Sequence, residues 1–386
     1  MTTSRRQFLR VAAGGAGIFL IGPHLAFAQA ATQRRFVFVI QRGAADGLNT
    51  VIPYADPAYA RLRGELAIAP ADALRLDGSF SLHPALAETA KLYAAGQALF
   101  VHAVASPYRD RSHFDGQKVL ETGGTAPYEI KDGWMNRLVA MLPKGGREAI
   151  AFAPTVPMAL RGPTEVTSYA PSVLPPASDD LALRVEQLYA ADPQLHALWS
   201  AAMDARGMAG PGSDSGRRQD PAALGKMAAT FLSQSNGPRI AMIETGGWDT
   251  HSAQKARLAQ QLRGLDAMVA ALQTGLGPLW NQTVVLVATE FGRTAAANGT
   301  GGTDHGTGSS AMLIGGAVQG GRVLADWPGL ASGALFEGRD LRPTTSLDAV
   351  IGQVAGECFG IDPQRVGRTL FPHSPDARPL PRLLRS

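Results

Sequence analysis

A single cysteine, Cys358, stands among 386 residues. One thiol excludes an intramolecular disulfide framework, and its setting in AVIGQVAGECFG, an apolar helical pattern, reads as a small buried hydrophobe. Aromatic residues make up only 7% of the chain and charged residues 18%. No run of Lys and Arg interleaved with aromatics occurs after residue 28, which argues against nucleic-acid binding. Also missing are a G-x-S-x-G elbow, a G-x-x-x-x-G-K-S/T loop, an H-E-x-x-H pair, and a G-x-G-x-x-G after the first apolar run. These absences set aside elbow-type serine hydrolases, nucleotide kinases, zincins and nicotinamide dehydrogenases. GTGSSA at 306–311 imitates the dinucleotide glycine pattern, but it precedes a strand pattern where the fingerprint must follow one. No period of about 20–50 residues recurs, so solenoids and propellers are excluded.

No long hydrophobic run appears either. The longest candidate, VAAGGAGIFLIG, spans about a dozen residues and is too short to cross a bilayer as a confident helix. It follows SRRQFLR and precedes AFA, the order of a twin-arginine export signal with cleavage after Ala28. The expectation is therefore a periplasmic or secreted protein with no stable membrane span once residues 1–28 are removed. Those residues carry Arg5, Arg6 and Arg10 and no acid, so the formal charge of +4 falls to +1. The basic balance of the precursor therefore says little about partners.

Six short apolar runs recur along the chain: RFVFVI (35–40), QALFVHAVA (97–105), AIAFAP (149–154), PRIAMIET (238–245), TVVLVATE (283–290) and SAMLIGG (310–316). Runs of this kind suit strands covered on both faces, and helical patterns alternate with them. The clearest lies in 251–277, where Leu258, Leu262, Leu265, Val269, Leu272 and Leu276 recur at spacings of four and three. The predicted fold class is α/β, a doubly wound and mostly parallel sheet with helices on both faces. Residues 29–386 read as one domain, with a mainly helical and irregular insertion at about 155–237.

In such a sheet, ligands bind outside the carboxyl ends of the strands. The loops there carry Asp46, Asp110, His113, Asp115, Asp249, His251, Glu290, Asp304 and His305. Imidazole and carboxylate form the donor set for zinc, manganese or iron. Asp249 and His251 in IETGGWDTHSAQ, with Asp304 and His305 in GGTDHGTGSS, place an Asp and a His twice at one sheet edge. Asp249 equally suits an N-cap of the long helix, and Asp46 or Asp304 an ordinary turn. Ser112 opens another helical pattern, as an N-cap or as a hydroxyl held where anions are favoured. Arg111 and Arg293 are placed to meet a phosphate or sulfate. His83, His102, His196 and His373 read as structural or exposed.

RRFVFVIQRGAADGLNTVIPYADPAYARLR, FVHAVASPYRDRSHFDGQKVLETG, ETGGWDTHSAQ and VVLVATEFGRTAAANGTGGTDHGTGSSAMLIGG resemble a bacterial family catalogued as domain of unknown function 1501. That resemblance implies an exported protein with the alkaline phosphatase and sulfatase fold. It implies Asp46 as the carboxylate after the first strand, Ser112 as the nucleophilic hydroxyl, Asp249 and His251 as ligands after a central strand, and His305 as the last ligand. At the position of the superfamily's Asp-His-Gly this chain reads Glu290-Phe291-Gly292-Arg293, which keeps an oxygen donor and loses a histidine. The resulting expectation is an exported, metal-dependent hydrolase of phosphate or sulfate esters. Asp249, His251 and His305 would hold one divalent ion, zinc with manganese or calcium as alternatives. Asp46, Glu290 and Asp304 complete the candidate ligands, Ser112 is nucleophile, and Arg111 or Arg293 stabilises charge. The alternative is a hydrolysis-deficient member of that fold serving as an extracytoplasmic binding or assembly protein.

Overall fold

The structure, a computed structural model, describes residues 33–143, 148–170, 179–209, 220–374 and 379–386. The expected export signal at 1–28 and most of the expected polar loop at 207–221 lie outside the described residues.

The chain begins its sheet with β1 (Arg35–Gln41), all seven residues of which are buried. β2 (Val51–Ile52), β3 (Leu74–Arg75) and β4 (Ser81–Leu82) make a small separate sheet. The main sheet continues with β5 (Ala98–Ala105), β6 (Ala149–Phe152), β7 (Thr167–Ser168), β8 (Ile240–Thr245), β9 (Thr283–Ala288), β10 (Ser309–Ile314), β11 (Arg322–Leu324) and β12 (Thr345–Ser346). Its order is β11-β5-β10-β9-β1-β8-β6-β7, with β12 also pairing β5. β1 lies parallel between β8 and β9, and β6 lies parallel to β8. Only β10 reverses, running antiparallel to both β5 and β9. The fold is α/β with a mostly parallel sheet, and all six apolar runs became strands of it.

Alternation along β1 shows both faces covered. Phe36, Phe38 and Ile40 pack into a core with Trp134, Val350, Val354 and Phe359. Val37 and Val39 point to the opposite core with Leu258, Leu262, Val269 and Phe231. Burying each such side chain contributes about 1.5–3 kcal/mol, so a strand apolar on both faces is stable only in the middle of a sandwich of helices. The helices Trp134–Met141, Leu347–Phe359 and Pro363–Leu370 cover one face; Ala87–Ala94, Pro221–Leu232 and Gln254–Leu276 cover the other. Between 155 and 237 the described residues form a short 3-10 turn, β7 at the sheet edge, and the helices Asp179–Tyr189, Pro193–Ala209 and Pro221–Leu232.

The reversal of β10 positions the site. Because β9 ends and β10 begins at the same edge, the long connection 289–308 stays at the carboxyl end of the parallel strands. It meets there the loops that follow β1, β5 and β8.

Candidate metal centre

Close approach of these loops is built into the backbone. Gly43, at φ +118, has no room for a side chain, since a Cβ there would lie 2.5 Å from the amide nitrogen of Asp249. Gly302 presses on the same loop from the other side, where a Cβ would lie 2.3 Å from the His251 carbonyl. The long helix starts only at Gln254, with Ala253 as its N-cap. Asp249 is therefore not a helix cap, and its carboxylate projects into the space between the loops.

Three donors converge on that space, with His251 beside them. His113, Asp249 and His305 offer ligand atoms all within 4.8 Å of one another. Asp249 Oδ2 lies 3.5 Å from His113 Nε2, and its Oδ1 lies 3.4 Å from His305 Nε2 and 3.1 Å from His251 Nε2. The Nε2 atoms of His251 and His305 are 2.9 Å apart. A tetrahedral ion with bonds of about 2.0–2.1 Å has ligand atoms about 3.3 Å from one another. The separations from Asp249 to His113 and to His305 lie close to that edge length, so these three donors fit a small divalent cation, and His251 stands next to them.

The rings are aimed by their other nitrogens. His113 Nδ1 faces Glu290 Oε1 at 2.8 Å, His251 Nδ1 faces Asp304 Oδ1 at 3.2 Å, and His305 Nδ1 faces the Arg111 carbonyl at 2.9 Å. All three partners are acceptors, so each Nδ1 carries a proton, and in the neutral ring each Nε2 directs its lone pair to the shared space. His113 Nε2 is buried with no hydrogen-bond partner. An orphaned buried acceptor of this kind costs free energy unless something fills its lone pair.

The electrostatics follow. Burial pushes the Asp249 carboxyl up, but the Arg293 guanidinium at 2.5 Å, with His251 and His113, outweighs it and holds Asp249 below the ordinary carboxylate range. Glu290, fully buried, is likewise held low against its desolvation by hydrogen bonds from His113 and Gln117. The Glu290 contact raises His113, whereas burial followed by the charge of His113 lowers His305.

The structure assigns several expected residues other work. Glu290 spends its oxygens on His113 Nδ1, the Gly43 amide, Gln117 Nε2 and Thr289 Oγ1, so it orients the His113 ring and faces away from the shared space. Asp304 turns one oxygen, Oδ1, to His251 Nδ1, and Asn298 donates to that same oxygen. Asp46 caps the short helix Gly47–Thr50 and pairs with Arg63 and Gln254 in full burial, leaving it no free oxygen for an ion. Arg111 turns its guanidinium to Asp340 and Glu337. Arg293 is fully buried and donates to the carbonyls of Gly43, Ala44, Trp248 and Thr303 as well as to Asp249, so it clamps the loops rather than waiting for substrate. Ser112 stands at the N-cap of the helix His113–Thr122 but makes no side-chain capping bond. His113, read from sequence only as one of several polar loop residues, joins Asp249, His251 and His305. Its signal was the pair His113 and Gln117, four apart on one helix face, both reaching Glu290. His102 and His83 are buried, and His373 pairs with Glu129.

Solved structures similar to this chain include a putative sulfatase from Bacteroides thetaiotaomicron, at 9% identity over 90% of this chain and 76% of that one, with TM-score 0.41. The phosphonate monoester hydrolase of Agrobacterium radiobacter is 11% identical over 89% and 78%, with TM-score 0.36. The C-terminal periplasmic domain of EcEptC from Escherichia coli, in complex with zinc, is 8% identical over 74% and 74%, with TM-score 0.39. No curated protein matches the sequence. A family model matches residues 102–370, and the chain belongs to that family, described as protein of unknown function (DUF1501).

Proposed function

We propose that His113, Asp249, His251 and His305 hold one divalent metal ion and that the protein is an exported hydrolase of phosphate or sulfate esters. The observation that carries this reading is the orphaned, buried Nε2 of His113, whose Nδ1 is fixed by Glu290 while the His305 imidazole and the Asp249 carboxylate converge on the same point, with His251 beside them. Three imidazoles and one carboxylate suit zinc, and manganese after it; calcium prefers an all-oxygen shell. A bound ion supplies Lewis acidity that polarises an ester oxygen. Asp249 and the three histidines orient that chemistry, and Ser112, uncommitted as a cap and adjacent to His113, is the nucleophile or anion ligand. The side chains of Asp249 and His251 are 43% and 44% exposed, which leaves the cluster open to a substrate. Export rests on the twin-arginine pattern at 1–28. Among the described residues no helix is long and apolar enough to cross a membrane.

The test is metal quantification in protein purified without chelator, followed by turnover of phosphomonoester, phosphodiester and sulfate ester panels. About one equivalent of zinc or manganese, and turnover lost in Ser112→Ala, is the expected result. Absence of bound metal sinks the proposal.

A second reading has its own support. With His251 as the fourth donor the protein would itself fill a tetrahedral shell, as in structural sites, and Arg42, Arg111 and Arg293 are all engaged with carboxylates. Stoichiometric metal without turnover on any ester would favour an extracytoplasmic binding or assembly protein.

A further inference from the structure

We propose that Asp340 is a positioning residue for His305, acting through the left-handed peptide of Arg111. This rests on the reading of the cluster as a metal site.

Arg111 has φ +61, a conformation that a residue with a side chain adopts only at a free-energy cost. Its carbonyl is nonetheless the acceptor that fixes His305 Nδ1, at 2.9 Å. What holds the unfavourable backbone in place is on the same residue. Arg111 Nε donates to Asp340 Oδ2 at 2.9 Å, and its Nη2 lies 2.8 Å from the same oxygen and 2.5 Å from Glu337. Asp340 is fully buried, so this pair is poorly screened and resists exchange with water.

Asp340 reaches His305 by a second path. Its Oδ2 also accepts from Thr307 Oγ1 at 2.8 Å, two residues after His305. Isolated bridges pair Thr294 with Asp340 and Arg293 with His305, and Arg339 donates to the His305 carbonyl. One carboxylate thus anchors both the acceptor of the His305 ring and the backbone that carries the ring. Asp340 touches none of the four donors. Its effect on them runs through the direction of the Arg111 carbonyl, which selects the Nδ1–H tautomer and so frees Nε2.

Backbone anchoring and simple charge placement predict different behaviour at position 111. Arg111→Ala removes the anchor and keeps the penalty on the left-handed φ. Arg111→Gly removes the anchor and the penalty together. Zinc affinity is measured by chelator competition in wild type, Arg111→Ala, Arg111→Gly and Asp340→Asn. The His305 tautomer in metal-free protein is read from long-range 1H–15N correlations of its ring. The expected result is that Arg111→Ala weakens zinc binding about tenfold to hundredfold, with loss of the Nδ1–H tautomer, and that Arg111→Gly recovers most of both. Asp340→Asn should move the tautomer in the same direction as Arg111→Ala; because truncating a buried pair can cost folding, the two position-111 variants decide the case. Wild-type protein that binds no zinc overturns the metal reading itself. Wild type that binds zinc, with Ala and Gly variants equal to each other in affinity and tautomer, overturns the positioning role alone.

Discussion

The Nε2 atom of His251 faces the Nε2 atom of His305 at 2.9 Å, while the Nδ1 atoms of both rings point at acceptors. Two neutral imidazoles so arranged direct lone pairs at each other. Either a proton or a cation must lie between them.

Metal removal therefore has a signature. Chelation should lower the melting temperature, and zinc restored to about 100 times its dissociation constant should return about 2.7 kcal/mol of unfolding free energy. Loading should also release protons, because the cation displaces the one shared by the rings. Scanning calorimetry with and without chelator, and proton release in weakly buffered titration, read both effects. An unchanged melting temperature would contradict the site.

His113→Ala removes a histidine that the sequence places among the loop candidates but not in the expected ligand set. Metal content should fall from about one equivalent to well below it, since a three-donor remnant of an otherwise four-donor site binds less tightly. His196→Ala, at an exposed position of the helix Pro193–Ala209, is the control and should retain full content. Equal content in the two variants would remove His113 from the donor set.

Asp46→Ala separates architecture from ligation. The variant strips a fully buried arginine, Arg63, of its carboxylate and a short helix of its cap. Breaking such a pair costs about 3–5 kcal/mol of stability. Urea unfolding should show that loss, while the folded fraction keeps its metal affinity. A large loss of affinity without loss of stability would restore Asp46 to the ligand set.

His102 makes folding sensitive to acid. Full burial lowers its pKa to about 4, below the ordinary value of 6.5. As pH falls below 6.5 the unfolded chain takes up a proton that the folded chain refuses until about pH 4, so stability drops across that window. The full drop amounts to about 3 kcal/mol. Asp348 works against it, because burial raises its pKa to about 6 and its contribution to stability grows as pH falls from there. The clean measurement is the difference between wild type and His102→Gln in urea at pH 7 and pH 5. A wild type that loses no more stability than the variant would refute the assignment.

Much of this organisation is legible in the sequence. The six apolar runs announced the strands because a strand covered on both faces cannot afford a polar alternate position. The loops that follow them announced the working edge, because a parallel sheet leaves its crevice there. Direction was the illegible part. Asp46, Glu290 and Asp304 lie in the loops named from sequence, yet each carboxylate turns to a guanidinium, a backbone amide or an imidazole Nδ1. Whether an acid faces an ion or faces the histidine beside it depends on contacts between loops remote in sequence, such as Glu290 with His113, 177 positions apart. Local pattern carries no information about such contacts. His113 was hidden for the same reason, being one polar residue in SPYRDRSHFD until the fold sets it opposite Asp249.

Arg293 has a consequence for when the ion arrives. Its buried guanidinium ties together carbonyls from three loops and neutralises part of Asp249. Many small metal domains are shapeless until loaded, because nothing else holds their ligands together. Here a covalently attached cation already performs that service, so the receptacle is cast before it is filled. Loading becomes a question of diffusion into a finished mould, open to whichever compartment the folded chain happens to occupy.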